Sequence, residues 1–289
     1  MAPRKPYDLT LADGSRLELG ARTLVMAIVN VTPDSFADGG VRLDPPRAID
    51  DALRMIEEGA DILDVGGEST RPGAEPLPAD EELRRVLPVL EGLAGRARVP
   101  ISIDTSKARV AEAAIDRGAA IVNDISGLLY EPALGEVAAR RGAALVLMHH
   151  RGRSSDMYRN AVYEDVAGEV AAELSARIDA AVAASVPRDR LIIDPGLGFA
   201  KRPEHTFAAL ARLDRLAALD RPILVGASRK SFLRDAIGDK PPPERLWASA
   251  AAVTAAVLGG AHIVRVHDVK EMVDVVRTAD RIRTTSETA

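Results

Sequence analysis

RGAAIVND, residues 117–124, opens as a buried strand should and then turns polar, ending in an amide and a carboxylate. The plan recurs as EGADILDVGG from Glu58, RGAALVLMHH from Arg141 and GGAHIVRVHD from Gly259: Gly-Ala, a few apolar residues, then groups able to bind or transfer protons. Repetition of one supersecondary unit points to a repeated architecture. Eight apolar runs bounded by turn signals predict strands over 24–30, 62–65, 101–104, 121–123, 145–149, 191–194, 223–225 and 263–267. Between them lie stretches of helical period, such as PPRAIDDALRMIEEGA and KARVAEAAIDRGA, and the recurring glycine fits the left-handed C-cap where a helix hands over to a strand. Alternating strands and helices allow an open doubly wound sheet or a closed barrel. Eight units in about 250 residues favour the α/β (β/α)8 TIM barrel, and no complete G-x-G-x-x-G follows the first strand. The preceding DLTLADGSRLEL predicts an N-terminal β-hairpin turning at Asp13-Gly14, placed to close the bottom of the barrel.

Composition narrows the partners. The chain of 289 residues is 47% hydrophobic with a net charge of -5, its Lys and Arg scattered among Asp and Glu, so no nucleic-acid footprint is present. Without cysteine there is no disulfide framework, thiolate nucleophile or Cys-ligated metal. MAPRKPYDLTLADG lacks a signal peptide's apolar core, and the longest uncharged run, 246–264, is Ala-rich and interrupted by Gly259, Gly260 and His262. It reads as a buried helix running into a strand, with no membrane partner, and a cytoplasmic location is expected. No linker divides the chain, so 1–289 is expected to be one domain, residues 1–22 forming its hairpin segment.

In such barrels the C-terminal strand ends form the active face. Asn30, Asp104, Asn123, His149, Asp194 and His267 are therefore expected to converge on one mouth. Asp104, Asn123 and Asp194 together complement a flat heterocycle with several N–H donors, such as an aminopyrimidine, although each alone suits a helix N-cap. GASRKSFL, after the seventh strand, is expected to open a helix whose N–H groups, with Lys230 and Ser231, would hold an anion. It is not a Walker A loop, since the required glycines are missing. Arg265 and His267, two apart on the last strand, share a face and suit a phosphate. His149-His150 as a metal pair is disfavoured, because adjacent strand residues point to opposite faces. All four phenylalanines, Phe36, Phe199, Phe207 and Phe232, fall in or soon after expected top-face loops. That makes an aromatic guest a fair reading for Phe36 and Phe199, while Phe207 and Phe232 are expected to pack loop against barrel.

The segments MAIVNVTPDSFADGG, DVGGESTRPGA, SIDTSKARV, IVNDISG, IIDPGLGF, GASRKSFL and RVHDV closely resemble the dihydropteroate synthases, in order and over nearly the whole chain. The resemblance implies a transferase of folate biosynthesis that joins 6-hydroxymethyl-7,8-dihydropterin diphosphate to 4-aminobenzoate and releases diphosphate with the help of Mg2+. It also implies a homodimer and sensitivity to sulfonamides. By matching position, Asp104, Asn123, Asp194 and Lys230 would hold the pterin, and Asn30 would touch the Mg2+. Arg71, Arg265 and His267 would neutralise the diphosphate. Phe36, Thr70, Pro72, Phe199 and Ser231 would form the aminobenzoate pocket. The chain departs from the family pattern at His150, where Met is usual, at Ala37, where Ser is common, and at Leu197 and Ala200, where Phe and Gly are common. These bear on pocket shape.

An arylamine is largely unprotonated at neutral pH, so the protein need only position it and ease departure of a charged leaving group. A dissociative path is expected, with Asp34 and Asp104 stabilising a cationic pterin by about 3 kcal/mol per well-placed group. Two rivals share the barrel. A pterin-binding methyltransferase acting with a corrinoid protein would have no use for Arg71, Lys230, Arg265 and His267 as a diphosphate site, and a non-catalytic pterin-binding paralogue should have lost loop residues that this chain keeps.

Overall fold

The computed structural model describes residues 4–32, 44–69, 76–153, 158, 159 and 161–288. It begins with the expected hairpin, β1 (Tyr7–Thr10) and β2 (Arg16–Leu19), paired antiparallel. Asp13 caps its turn by accepting the Ser15 N–H at 2.9 Å. The barrel strands follow: β3 (Leu24–Asn30), β4 (Ile62–Gly66), β5 (Ile101–Asp104), β6 (Ala119–Asp124), β7 (Ala144–Met148), β8 (Leu191–Asp194), β9 (Leu224–Val225) and β10 (Ile263–Val266). All pair in parallel in the order β8-β7-β6-β5-β4-β3-β10-β9, and a parallel bridge between Ile193 and Ile223 joins the two ends. The sheet is therefore closed, with its thinnest seam at the two-residue β9.

Helices α1 (Pro45–Glu57), α2 (Ala79–Leu93), α3 (Ala108–Ile115), α4 (Ala133–Arg141), α5 (Val166–Ala183), α6 (Pro203–Ala211), α7 (Arg234–Ile237), α8 (Leu246–Leu258) and α9 (Val269–Thr288) lie between and after the strands. The first is typical of how sequence sets them. Asp44 caps it by accepting the Arg47 N–H at 3.1 Å, prolines occupy its first turn where no N–H partner is needed, and Ala48, Ala52 and Ile56 recur every fourth residue on the buried face. Gly142, at φ 70°, ends α4 in the left-handed conformation that glycine adopts without strain.

Apolar side chains fill two regions. One lies between strands and helices. The other fills the lower interior, where Leu9, Leu11, Leu17 and Leu19 of the hairpin meet Met26, Ile62, Ile121, Val146, Ile192 and Ile263 from the strands. The hairpin thus plugs the bottom, as its alternating leucines imply, and the polar strand ends are left at the opposite face. Among the described residues no helix is long and apolar enough to cross a membrane.

Two local expectations need correction. The strands end one residue early at β7 and β10, so His149 and His267 stand just outside them. GASRKSFL does not open a long helix: a 3-10 turn over Ser231–Leu233 leads into the single turn of α7, which Gly238 at φ 79° terminates ahead of Pro241, Pro242 and Pro243. Phe232 packs edge to face on Phe207 at 5.2 Å, so these two phenylalanines join loop to barrel.

Candidate active site

The floor of the mouth is a buried ionic cluster built from four strands. Arg265 on β10 donates from Nε to Asp64 Oδ2 at 2.5 Å and from its terminal nitrogen to Asp104 Oδ2 at 2.7 Å. Asp64, in the middle of β4 and fully buried, also accepts from Asn123 Nδ2 of β6 at 2.9 Å. Asp104 and Asn123 are therefore brought together as expected, but through Asp64, which the sequence reading missed, and Arg265, expected to share a phosphate site with His267, joins them. The signal available was a carboxylate interrupting the apolar run ILDVGG. Burial pushes the Asp104 carboxyl up, with Asp64 adding to the shift and the Arg265 guanidinium opposing it. Arg265 itself is held further toward its charged form: burial opposes this, but Asp64 and Asp104 outweigh it.

The second side comes from the loops after β8 and β9. Asp194, buried at the end of β8, accepts the Gly196 N–H at 2.7 Å. Lys230, only half-buried, holds its ammonium 3.9 Å from the centre of the Phe199 ring. Burial raises the Asp194 carboxyl and lowers the Lys230 ammonium, and their mutual attraction works against both shifts. Phe199 is buried and meets the edge of His150 at 5.5 Å, so this departure from the family pattern forms part of the backing of the Phe199 wall. Leu197 is absorbed into the main core. Ala200 takes a left-handed φ of 47°, costing an L-residue roughly 1 kcal/mol over glycine. Ser231 begins the 3-10 turn beside a cavity of about 330 Å3 that Pro203, Arg234, Asp235 and Asp239 also line.

Other expected residues are placed differently. Asn30 stands half-buried at the end of β3, level with Gly66 of β4. His267 takes Ser228 Oγ as partner for both its backbone N–H, at 3.2 Å, and its ring Nδ1, at 3.1 Å. Arg265 and His267 thus have separate partners. His149 does not serve the mouth: its ring joins Glu173 of α5 and Lys201. His150 pairs with the Tyr130 hydroxyl, so the two histidines make no common site. Arg229, overlooked in the sequence, adopts φ 58° and forms a two-pronged pair with Asp268, tying the loop of Lys230 to the loop of His267.

Asp34, Phe36, Ala37, Thr70, Arg71 and Pro72 lie outside the described residues. Beside residues 70–75, the Leu77 N–H donates to Glu68 Oε1 at 3.0 Å. Lys107 pairs with Glu68 and, at 2.6 Å, with the buried Glu82.

The described mouth therefore joins three carboxylates, Asp64, Asp104 and Asp194, and the Asn123 amide to two cations, Arg265 and Lys230, and one aromatic ring, Phe199. Such a surface can hold a flat ring with several N–H groups and face an attached anion. Comparison with known proteins agrees with that chemistry. Residues 26–267 match the family model described as pterin binding enzyme. The chain is 44% identical over 280 residues to a dihydropteroate synthase of Synechocystis sp., covering 97% of this chain and 95% of that protein. It also resembles the structure of Xanthomonas albilineans dihydropteroate synthase with 4-aminobenzoic acid, with a TM-score of 0.89, 42% identity, and coverage of 96% of this chain and 99% of that one. A Yersinia pestis dihydropteroate synthase in complex with a sulfonamide drug matches with a TM-score of 0.89, 41% identity and the same coverage.

Proposed function

The chain belongs to the pterin-binding enzymes and, among them, to the dihydropteroate synthases, and on that footing we propose how its own residues carry out the reaction. That reaction condenses 6-hydroxymethyl-7,8-dihydropterin diphosphate with 4-aminobenzoate to give 7,8-dihydropteroate and diphosphate, a transferase step of folate biosynthesis. The observation that carries the assignment of roles is the cluster of Asp64, Asp104, Asn123 and Arg265 facing Asp194, Lys230 and Phe199.

In this reading Asp194, Asp104 and Asn123 accept and orient the pterin's N–H groups, and Lys230 sits between the pterin and the aminobenzoate. Phe199 and Ser231 line the aminobenzoate pocket, with Phe36, Thr70 and Pro72 completing it. Arg265, Arg71 and His267 stabilise charge on the departing diphosphate. The carbon–oxygen bond to diphosphate breaks as the pterin ring supplies electron density, and Asp34 and Asp104 stabilise the cation by preorganised charge. The arylamine nitrogen then bonds to that carbon and releases its proton.

Asn30 offers an amide oxygen at the mouth, and no group of three or more His, Cys, Asp or Glu among the described residues could hold a metal ion. That donor set fits Mg2+, which keeps several waters and binds largely through substrate phosphates. When bound there, the ion would neutralise charge on the diphosphate.

We also read the whole chain as one domain, located in the cytoplasm, and as a homodimer. The support for a dimer is Trp247, 79% exposed on α8, with Ala251 and Ala255 exposed one and two turns further on. Sulfonamides, as aminobenzoate mimics, are expected to compete at the Phe199 and Ser231 pocket.

The test is to incubate the protein with the pterin diphosphate, 4-aminobenzoate and Mg2+ and to follow dihydropteroate by chromatography. Product should form, and Lys230→Ala should lose most of kcat/KM while its unfolding midpoint moves little, since Lys230 is only partly buried and stands at the mouth rather than in the apolar core. Near-normal turnover in that variant would remove Lys230 from the site.

A further inference from the structure

Lys201 is 1% exposed, an unusual place for a lysine, and it has no part in the reaction as described above. Its ammonium donates to His149 Nδ1 at 2.8 Å, to the Gly196 carbonyl at 3.1 Å and to the Phe199 carbonyl at 3.1 Å. Three donors thus meet three acceptors, the condition under which a buried ammonium is tolerated.

The acceptors are informative. Gly196 and Phe199 belong to the loop that leaves β8 after Asp194 and presents the Phe199 ring to Lys230. Because His149 accepts at Nδ1, its proton lies on Nε2, which donates to Glu173 Oε2 of α5 at 3.1 Å. The other oxygen of Glu173 receives Arg151 Nε at 2.9 Å, and the Arg151 guanidinium stacks 4.0 Å from the Tyr163 ring centre. Tyr163 in turn donates its hydroxyl to the Ala200 carbonyl at 2.9 Å. The two ends of this chain of contacts, Lys201 and Tyr163, grip three carbonyls of one short loop from behind. Gly196 passes so close behind β7 that a Cβ there would lie 2.1 Å from the His149 carbonyl oxygen, so no side chain fits.

We propose that Lys201 is a positioning residue for the second substrate: anchored through His149 and Glu173 to α5, it fixes the Gly196–Phe199 loop so that the Phe199 ring stands as a wall of the aminobenzoate pocket. This rests on the assignment of Phe199 to that pocket. Asp194 is held by β8 and meets the gripped loop only through the Gly196 N–H, while Lys201 acts on it by charge attraction without a hydrogen bond. Loss of Lys201 should therefore affect aminobenzoate more than pterin.

Lys201→Met keeps the apolar stem and removes the donors. Its KM for 4-aminobenzoate should rise at least about tenfold, while its KM for the pterin diphosphate stays within about threefold. Lys201→Gln, with two N–H donors retained, is the second variant should the first not fold, and it should show the same split at smaller size. In Lys201→Ala, added ethylammonium should recover much of the aminobenzoate KM, a rescue that a merely structural role would not give. An equal rise in both KM values, or no rise in either, in whichever variant folds would overturn the proposal, as would absence of rescue. Phe199→Ala separates the two ideas: if it leaves the aminobenzoate KM unchanged, the pocket assignment is at fault rather than the role of Lys201.

Discussion

Asp194 accepts the Gly196 N–H through Oδ1 at 2.7 Å, which leaves Oδ2 without a hydrogen bond among the described residues and available to a ligand. Its burial raises the cost of ionisation, so the carboxylate is poised to gain from any N–H that replaces lost water. Asp194→Asn retains an oxygen for Gly196 but turns an NH2 group toward the ligand's own donors. Affinity for a pterin analogue should fall by about 2 kcal/mol or more, measured calorimetrically, and unchanged affinity would place the pterin elsewhere. Asp64 and Lys201 show the limit of reading residues one at a time. Asp104, Asn123 and Asp194 were legible because each ends an apolar run. Asp64 sits inside one, and its partner Arg265 is 201 positions away. Lys201 stands just before a proline-started helix, where no local pattern marks it, and only the folded loop reveals that it is enclosed.

Elements were read more completely than side chains, because their signals are periodic and local. The eight strands and the hairpin follow from apolar runs and an Asp-Gly turn, whereas the length of β9 and the brevity of α7 depend on neighbours that no local pattern records. The hairpin also contributes a testable titration. His262, buried ahead of β10, accepts the Ile223 N–H at Nδ1 at 3.1 Å, and its Nε2 faces the Lys5 carbonyl at 3.0 Å, with the Tyr7 ring set against it. Burial lowers its pKa to about 4, the nearby Arg4 and Arg283 charges assisting and the Lys5 carbonyl opposing. A group whose pKa is depressed on folding contributes stability that is present above its unfolded pKa, near 6.5, and is lost as pH falls toward 4. Between pH 7 and pH 5 this one group should remove about 2 kcal/mol. Denaturant unfolding of wild type and His262→Gln at both pH values isolates it from other titrating groups. The stability gap between the two proteins should shrink by that amount at pH 5, and a constant gap would mean that His262 does not stay neutral in the fold.

At the scale of the whole molecule, the barrel is weakest where its ligand is expected to take hold. Strands β3 to β8 pair over four or five residues each, but β9 offers two, and its link to β8 is the single bridge at Ile193 and Ile223. Local opening draws on such short ladders, since few backbone hydrogen bonds need break. Around this seam stand Asp194 at the end of β8, Lys230 beyond β9 and Arg265 on β10, while Asp104 and Asn123 sit across the barrel on β5 and β6. A pterin held by both groups would tie the seam to the strong side of the sheet. Hydrogen exchange of the free protein should therefore be faster at residues 223–225 than in the other barrel strands. A pterin analogue at about a hundred times its Kd should stabilise the fold by about 2.7 kcal/mol, raising the unfolding midpoint by roughly 5 °C. The discriminating observation is where protection appears: slowing concentrated at 191–194 and 223–225 supports a ligand that closes the seam. Protection spread evenly over all eight strands would show that the ligand binds a barrel already uniform in its stability.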